Sequence, residues 1–224
     1  MSLSHSPQIV TDGLVLCLDA ANQRSYPKSG TTWSDLKGSN NGTLTNGPTF
    51  NGVNGGVIEF DGTNQYAAVP HDNIFNFGTN DFSIMTNIYW KYSSSTDKCI
   101  VEFRGSNSNS FSSWVWFINS QNKMQVWKPN LATQSSTVLS VNNWYNLTII
   151  RSSGTLYYFV NSLQAGSSVW NSSADADSSG IRLGTRQDTT NSLNADMSNL
   201  SIYNRALTAD EIRQNYLATK GRYE

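Results

Sequence analysis

The chain alternates between short apolar runs and stretches crowded with Ser, Asn, Thr and Gly. Residues 14–18 (LVLCL) are apolar at every position, which predicts a central strand covered on both faces rather than an edge. Residues 82–90 (FSIMTNIYW) alternate, placing Phe82, Ile84, Ile88 and Trp90 on one side with Thr86 as an interruption. Segments 99–103, 113–118 and 123–127 follow as further strands at short spacing. Two hairpins are predicted. One joins 143–151 to 155–160 through Ser152-Ser153-Gly154; the other folds 56–69 (GVIEFDGTNQYAAV) about Asp61-Gly62-Thr63-Asn64. Residues 26–50 read as a long loop region anchored by Trp33 and Leu44, and 164–179 as a Ser- and Asp-rich loop. The last strands begin at 181–184 and end at Tyr203.

A helix start follows. Thr208 is placed to cap the first turn, Glu211 to return the bond, and Leu207 with Ile212 to form a hydrophobic staple. Ile212, Tyr216 and Leu217 are expected to face inward, and Lys220-Gly221 to end the helix with Gly221 at positive φ. Regular short strands closed by one helix predict an all-β sandwich of two antiparallel sheets.

A length of 224 residues suits one such sandwich, here expected over 12–224 behind a polar, unpatterned N-terminal arm over 1–11. Only 14% of residues are charged and the net charge is −1, so neither nucleic acid nor a membrane surface is an expected partner. No apolar run approaches the ~20 residues of a membrane span. MSLSHSPQIV has neither the basic nor the apolar region of a secretory leader, which predicts a chain made in a cytoplasm and not exported by a signal of its own. Cys17 and Cys99 each lie in an apolar run; free buried thiols are expected, and pairing requires neighbouring strands.

Several segments in order (GLVLCLDA, VIEFDGTNQY, FSIMTNIYW, NWYNLTIIRSSGTLYYFVN, IRLGT and SIYNRALTADEI) resemble the concanavalin A-like lectin/glucanase superfamily, and within it the laminin G-like group. The resemblance implies a jelly-roll sandwich whose last strand and short helix close the fold. WSDL, NNGTLTNGPTF, FDGTNQY and IYNRALTADEI are also similar to laminin G-like domains of tailed-bacteriophage virion proteins. Three positions depart from the family pattern. Asn161 is followed by Ser162 where relatives often have Gly, and Ser198 and Asn199 stand where calcium-binding relatives carry acids.

Glucanases of the superfamily set three acids on alternate positions of one strand. Glu59 and Asp61 supply the first half of that array, but Thr63 and Asn64 occupy the place of the third acid. Asp61 reads as a turn residue and Glu59 as an outward-facing strand residue. Asp61 and Asp196 are too few carboxylates for a Ca²⁺ site, so no metal and no cofactor is expected. His5 and His71, the latter beside Asp72, are not set beside any nucleophile, and no CxxC, HExxH, GxGxxG or GxSxG motif occurs.

Binding remains. Aromatic faces amid Asn, Asp and Gln suit sugar recognition, and Trp127 (before Lys128-Pro129-Asn130) and Trp170 (in SSVWNSS) are the tryptophans least explained by a core pattern. Each is a candidate carbohydrate-binding residue or a loop anchor. Trp90, Trp114, Trp116 and Trp144 read as packing. The expected function is a non-enzymatic virion protein on a capsid or tail surface, attached through the N-terminal arm to capsid or tail proteins. It has a possible host-surface glycan and a possible homo-oligomeric state. A free-standing carbohydrate-binding or adhesion module is the alternative, and a glycoside hydrolase a weaker one.

Overall fold

The computed structural model describes residues 7–91, 95–103, 114–175 and 179–224. Sixteen strands follow the order β1 (Leu14–Asp19), β2 (Thr32–Trp33), β3 (Gly42–Thr45), β4 (Thr49–Asn51), β5 (Val57–Asp61), β6 (Tyr66–Val69), β7 (Phe82–Trp90) and β8 (Lys98–Phe103), then β9 (Trp114–Ile118), β10 (Met124–Lys128), β11 (Leu131–Gln134), β12 (Asn143–Ser152), β13 (Thr155–Val160), β14 (Leu163–Val169), β15 (Ile181–Leu183) and β16 (Asn194–Tyr203); the helix α1 (Ala209–Lys220) comes last. They form two antiparallel sheets. Sheet I runs β14-β13-β12-β7-β16-β5-β4, with β1 paired to β16; sheet II runs β11-β10-β9-β8-β15-β6-β3-β2. The expected jelly-roll sandwich with a short C-terminal helix is present.

Alternation decides what lies between the sheets. Phe82, Ile84, Ile88 and Trp90 of β7 meet Trp114, Trp116 and Ile118 of β9 in one buried cluster. Within it Phe103 and Trp114 stack with centroids 4.1 Å apart. Thr86, the interruption in the β7 pattern, donates to the Asn199 carbonyl at 2.6 Å, where β16 shifts register between Met197 and Asn199. The polar side chain thus serves a bulge that would otherwise leave a buried carbonyl unmet. At the far edge Ser136 N–H donates to the Ala165 carbonyl at 2.7 Å, joining the chain after β11 to β14 and closing one side of the sandwich.

Three sequence-based assignments change. The run 56–69 is not a hairpin: β5 pairs β4 and β16 in sheet I, whereas β6 pairs β3 and β15 in sheet II. Asp61-Gly62-Thr63-Asn64 is a tight turn as expected, with Asp61 Oδ1 accepting from Thr63 N–H at 2.8 Å, but it carries the chain from one sheet to the other. The strand β1 pairs only β16, and its second edge is met by a loop. Asp35 Oδ1 accepts from Cys17 N–H at 2.9 Å and the Cys17 carbonyl accepts from Leu36 N–H at 2.9 Å. The stretches read as loops hold β2, β3, β4 and β14, although Trp33 and Leu44 are buried anchors as expected.

The Asn161-Ser162 departure is compatible with a tight turn, because φ is 51° at Asn161 and 65° at Ser162 between β13 and β14. That is the two-residue hairpin geometry in which both central residues are left-handed. Asn161 tolerates it, and its Oδ1 accepts from Asn146 N–H at 2.9 Å.

The helix begins with the anticipated capping box, Thr208 with Glu211, over the buried staple of Leu207 and Ile212. Arg205 bonds Glu211 at 2.6 Å and, with the Thr208 contacts, holds its carboxyl down at about 2. Replacing Thr208 with Ala is expected to cost about 1 kcal/mol and to lower Tm by roughly 2–4 °C in a thermal melt. An unchanged Tm would show that the Arg205–Glu211 pair alone secures the helix start.

Two expectations about α1 are corrected. Gly221 has φ −62°, so the helix runs out without a left-handed cap. Its inward residues are Ile212, Asn215 and Thr219, while Leu217 is exposed. The outer face of sheet I explains the difference, because it offers polar groups. Thr219 Oγ1 accepts from Asn87 Nδ2 at 3.3 Å, and Asn215 Nδ2 donates to Tyr203 Oη at 3.0 Å. Part of the expected N-terminal arm is built in beside them. Val10 N–H donates to Asn215 Oδ1 at 2.7 Å, and Tyr203 Oη donates to the Val10 carbonyl at 2.9 Å; residues 1–6 lie outside the described residues.

Candidate glycan-binding face

Burial sorts the seven tryptophans. Trp33, Trp90, Trp114, Trp116 and Trp170 are all below 2% exposed, which leaves Trp127 and Trp144 with accessible rings. Trp170 is therefore corrected from candidate ligand platform to core. It is 1% exposed, edge-on to Trp114 at 5.2 Å and to Phe82 at 5.7 Å, with its Nε1 donating to Ser172 Oγ at 3.1 Å. A sugar ring has no access to either face.

Trp127 lies on the outer face of sheet II, where alternation along β10 sends Met124 and Val126 inward and Gln125 and Trp127 outward. Its ring packs against buried Cys99, Val115 and Phe117, and the Arg186 guanidinium lies 5.9 Å from the ring centroid. Two residues along the same face, Gln125 joins an amide cluster. Asn119 Nδ2 donates to Gln125 Oε1 at 3.0 Å and to Gln134 Oε1 at 2.7 Å. Beside it a shallow pocket of about 100 Å³ is lined by Gln125, Ala132, Thr133 and Gln134, and Ala132 is the cross-strand partner of Trp127. An aromatic ring, a shelf and fixed amides are thereby gathered at one edge. Charge there is internally balanced, since Arg186 meets Glu102 and Asp188, each at 3.6 Å.

Trp144, whose strand run predicts packing, points to the outer face of sheet I. It stacks on Tyr223 at 4.2 Å beside a pocket of about 150 Å³ lined by Asn87, Asn146, Asn161 and Tyr216 among others. Nothing in the run 143–151 distinguishes it. Its partner Tyr223 lies beyond the helix, so only the folded chain reveals the pair.

The third acid of the glucanase array is absent, with Thr63 and Asn64 standing in its place. Glu59 accepts from Thr49 and Asn51, each at 3.1 Å. Burial pushes its carboxyl up, but the Asn51 hydrogen bond and the Lys91 charge outweigh it and hold the group below the usual range. Asp61 is engaged in its turn by Thr63. Asp72 caps a short turn through Ile74 N–H at 3.0 Å, so the His71-Asp72 pair is structural on the aspartate side; His5 lies outside the described residues. In the places of the family's calcium-binding acids, Ser198 Oγ donates to the Gly56 carbonyl at 3.2 Å and Asn199 Oδ1 accepts from Asn87 N–H at 2.8 Å. Among the described residues no group of three His, Cys, Asp or Glu side chains is placed to hold a metal ion, and no helix is long and apolar enough to cross a membrane. Cys17 and Cys99 are free and buried, on strands of different sheets.

Solved structures with this fold include Trypanosoma rangeli sialidase, at TM-score 0.71 and 14% identity, covering 98% of this chain and 36% of that one. The binding domain of Paraclostridial Mosquitocidal Protein 1 matches at TM-score 0.69 and 17% identity, covering 91% of this chain and 52% of that one. The botulinum neurotoxin serotype G binding domain matches at 0.68 and 16%, covering 91% and 50%. The chain thus spans about a third of the sialidase and half of each toxin domain. No curated protein sequence matches it. The expected virion role is overturned by these relatives, which are a sialidase and toxin binding domains rather than capsid or tail proteins. A family model described as concanavalin A-like lectin/glucanases superfamily matches residues 61–213, and the chain belongs to that superfamily.

Proposed function

We propose that the chain is a non-enzymatic carbohydrate-binding module that holds a glycan on the Trp127 shelf. The observation that carries this reading is the placement of Trp127. It is one of two tryptophans with an accessible ring and stands two residues from the Gln125–Gln134–Asn119 amide cluster, beside the shallow pocket. A ring face gives apolar contact to the C–H side of a sugar, and fixed amides give donors and acceptors to its hydroxyls. Trypanosoma rangeli sialidase has been solved in complex with sialic acid, which makes sialylated glycans a natural part of the screen. The amides and the internally balanced Arg186 favour hydroxyl-rich neutral sugars at this shelf. The engaged states of Glu59 and Asp61 support a role without bond cleavage.

The test is a glycan array probed with the whole chain, followed by titration of the best neutral and sialylated hits. Trp127→Ala is expected to weaken binding about tenfold or more, roughly 1.4 kcal/mol, while Trp144→Ala leaves it intact. Wild-type affinity in the Trp127 variant would sink the reading. Loss in the Trp144 variant alone would move the site to the opposite sheet.

A further inference from the structure

A second constellation lies on the outer face of sheet I. Asp196 of β16 sits opposite Glu59 of β5 on one side and Tyr89 of β7 on the other. Lys91, two residues past Tyr89, shares that face and brings its Nζ against Asp196 Oδ1 and to 3.7 Å from Glu59 Oε1. The aspartate is 6% exposed. Its Oδ1 is buried, and Lys91 Nζ is the group that lies against it. Burial pushes the Asp196 carboxyl up, despite Lys91, while Glu59 is held down. The two acids are thereby shifted in opposite directions.

We propose that Lys91 and Asp196 condense into an intramolecular amide, with Glu59 as the proton carrier. The Glu59 carboxylate takes one proton from the Lys91 ammonium, and the freed amine attacks Cγ of the protonated Asp196 carboxyl. The new C–N bond forms, the C–OH bond breaks, and the hydroxyl leaves as water with the proton carried by Glu59. The second proton lost by nitrogen passes to solvent, and no oxidant or cofactor is required. Amide formation between free groups in water is unfavourable, but holding amine and acid together makes the step unimolecular, and well-oriented pairs reach effective molarities of about 10⁵–10⁸ M. The contact lies at the edge of solvent, the Lys91 side chain being 31% and the Asp196 side chain 8% exposed. As an amide it would bind the chain beyond β7 to β16 and close a long loop of sequence.

Intact-mass spectrometry of the purified chain tests this, with the expected loss about 18 Da relative to the sequence. A succinimide at Asp12-Gly13 or Asp61-Gly62 would give the same loss, so the cross-link is read from a tryptic digest. A branched peptide joining Lys91 to Asp196, with no cleavage after Lys91, is the expected result. Lys91→Ala and Asp196→Ala should show full mass, and Glu59→Gln, which retains hydrogen-bonding atoms toward Thr49 and Asn51, should remain largely uncrosslinked while folded by circular dichroism. Full mass in the wild-type chain, or a loss mapped to an Asp-Gly step, overturns the amide. Complete cross-linking in Glu59→Gln overturns the role given to Glu59.

Discussion

Replacing Arg151 with Met is expected to cost about 3–5 kcal/mol of folding stability. Arg151 is fully buried, pointing into the sandwich from β12. Its Nε and Nη2 donate to the Asn80 carbonyl at 3.1 and 2.7 Å, Nη2 also to the Gly78 carbonyl at 2.6 Å, and Nη1 to the Ser172 carbonyl at 3.0 Å. One planar fork therefore satisfies carbonyls from two separate loops, a task no other side chain has the donors to perform. The guanidinium also lies 5.4 Å from the ring centroids of both Phe82 and Trp170. Methionine fills similar volume but leaves the Asn80 and Ser172 carbonyls unmet, each at about 1–3 kcal/mol, while the Gly78 carbonyl keeps the Ala174 N–H at 2.8 Å. Lysine keeps the charge and loses the fork, so its cost should fall between. Urea denaturation measures both; a Met variant within about 1 kcal/mol of wild type would show that water replaces the guanidinium freely.

Trp170→Ala is expected to lose about 3–5 kcal/mol through the cavity left against Trp114, Phe82 and Arg151. Trp170→Phe should recover part of it. Glycan affinity per folded molecule should stay at the wild-type value, which separates this residue from Trp127, and a selective affinity loss without destabilisation would contradict its burial. Because Trp170 contacts Arg151, the two costs should not add in the double variant.

The contrast between these tryptophans shows what local pattern can and cannot carry. Trp170 stands amid Ser and Asn, so polarity of its neighbours in sequence suggests exposure, but its loop folds back over β7 and β9. Trp144 stands in a strand run, so its neighbours suggest core, but alternation leaves it on the outer face. Period fixes which residues share a side and does not say which side is inside. The same limit misplaced 56–69, where turn chemistry at Asp61-Gly62 was legible and the choice of sheet, set by distant β16 and β15, was not. Strand β14 was missed because an edge strand rich in Gln, Gly and Ser, with Leu163 73% and Val169 63% exposed, carries no apolar signal. The helix cap was legible in full because every contact in it lies within a few residues. Its inward face was not, since that is dictated by Asn87 and Tyr203 of sheet I.

The contact between Val10 and Asn215 has a bearing on how the domain is presented. It places Gln8 and Val10 beside the C-terminal helix behind sheet I, whereas Trp127 looks out from sheet II. A tether reaching the sandwich on the N-terminal side of Gln8, or after the helix, would hold it from the rear. The Trp127 shelf then faces away from the anchor, like a palm turned outward, and neither attachment needs to cross the ligand's path.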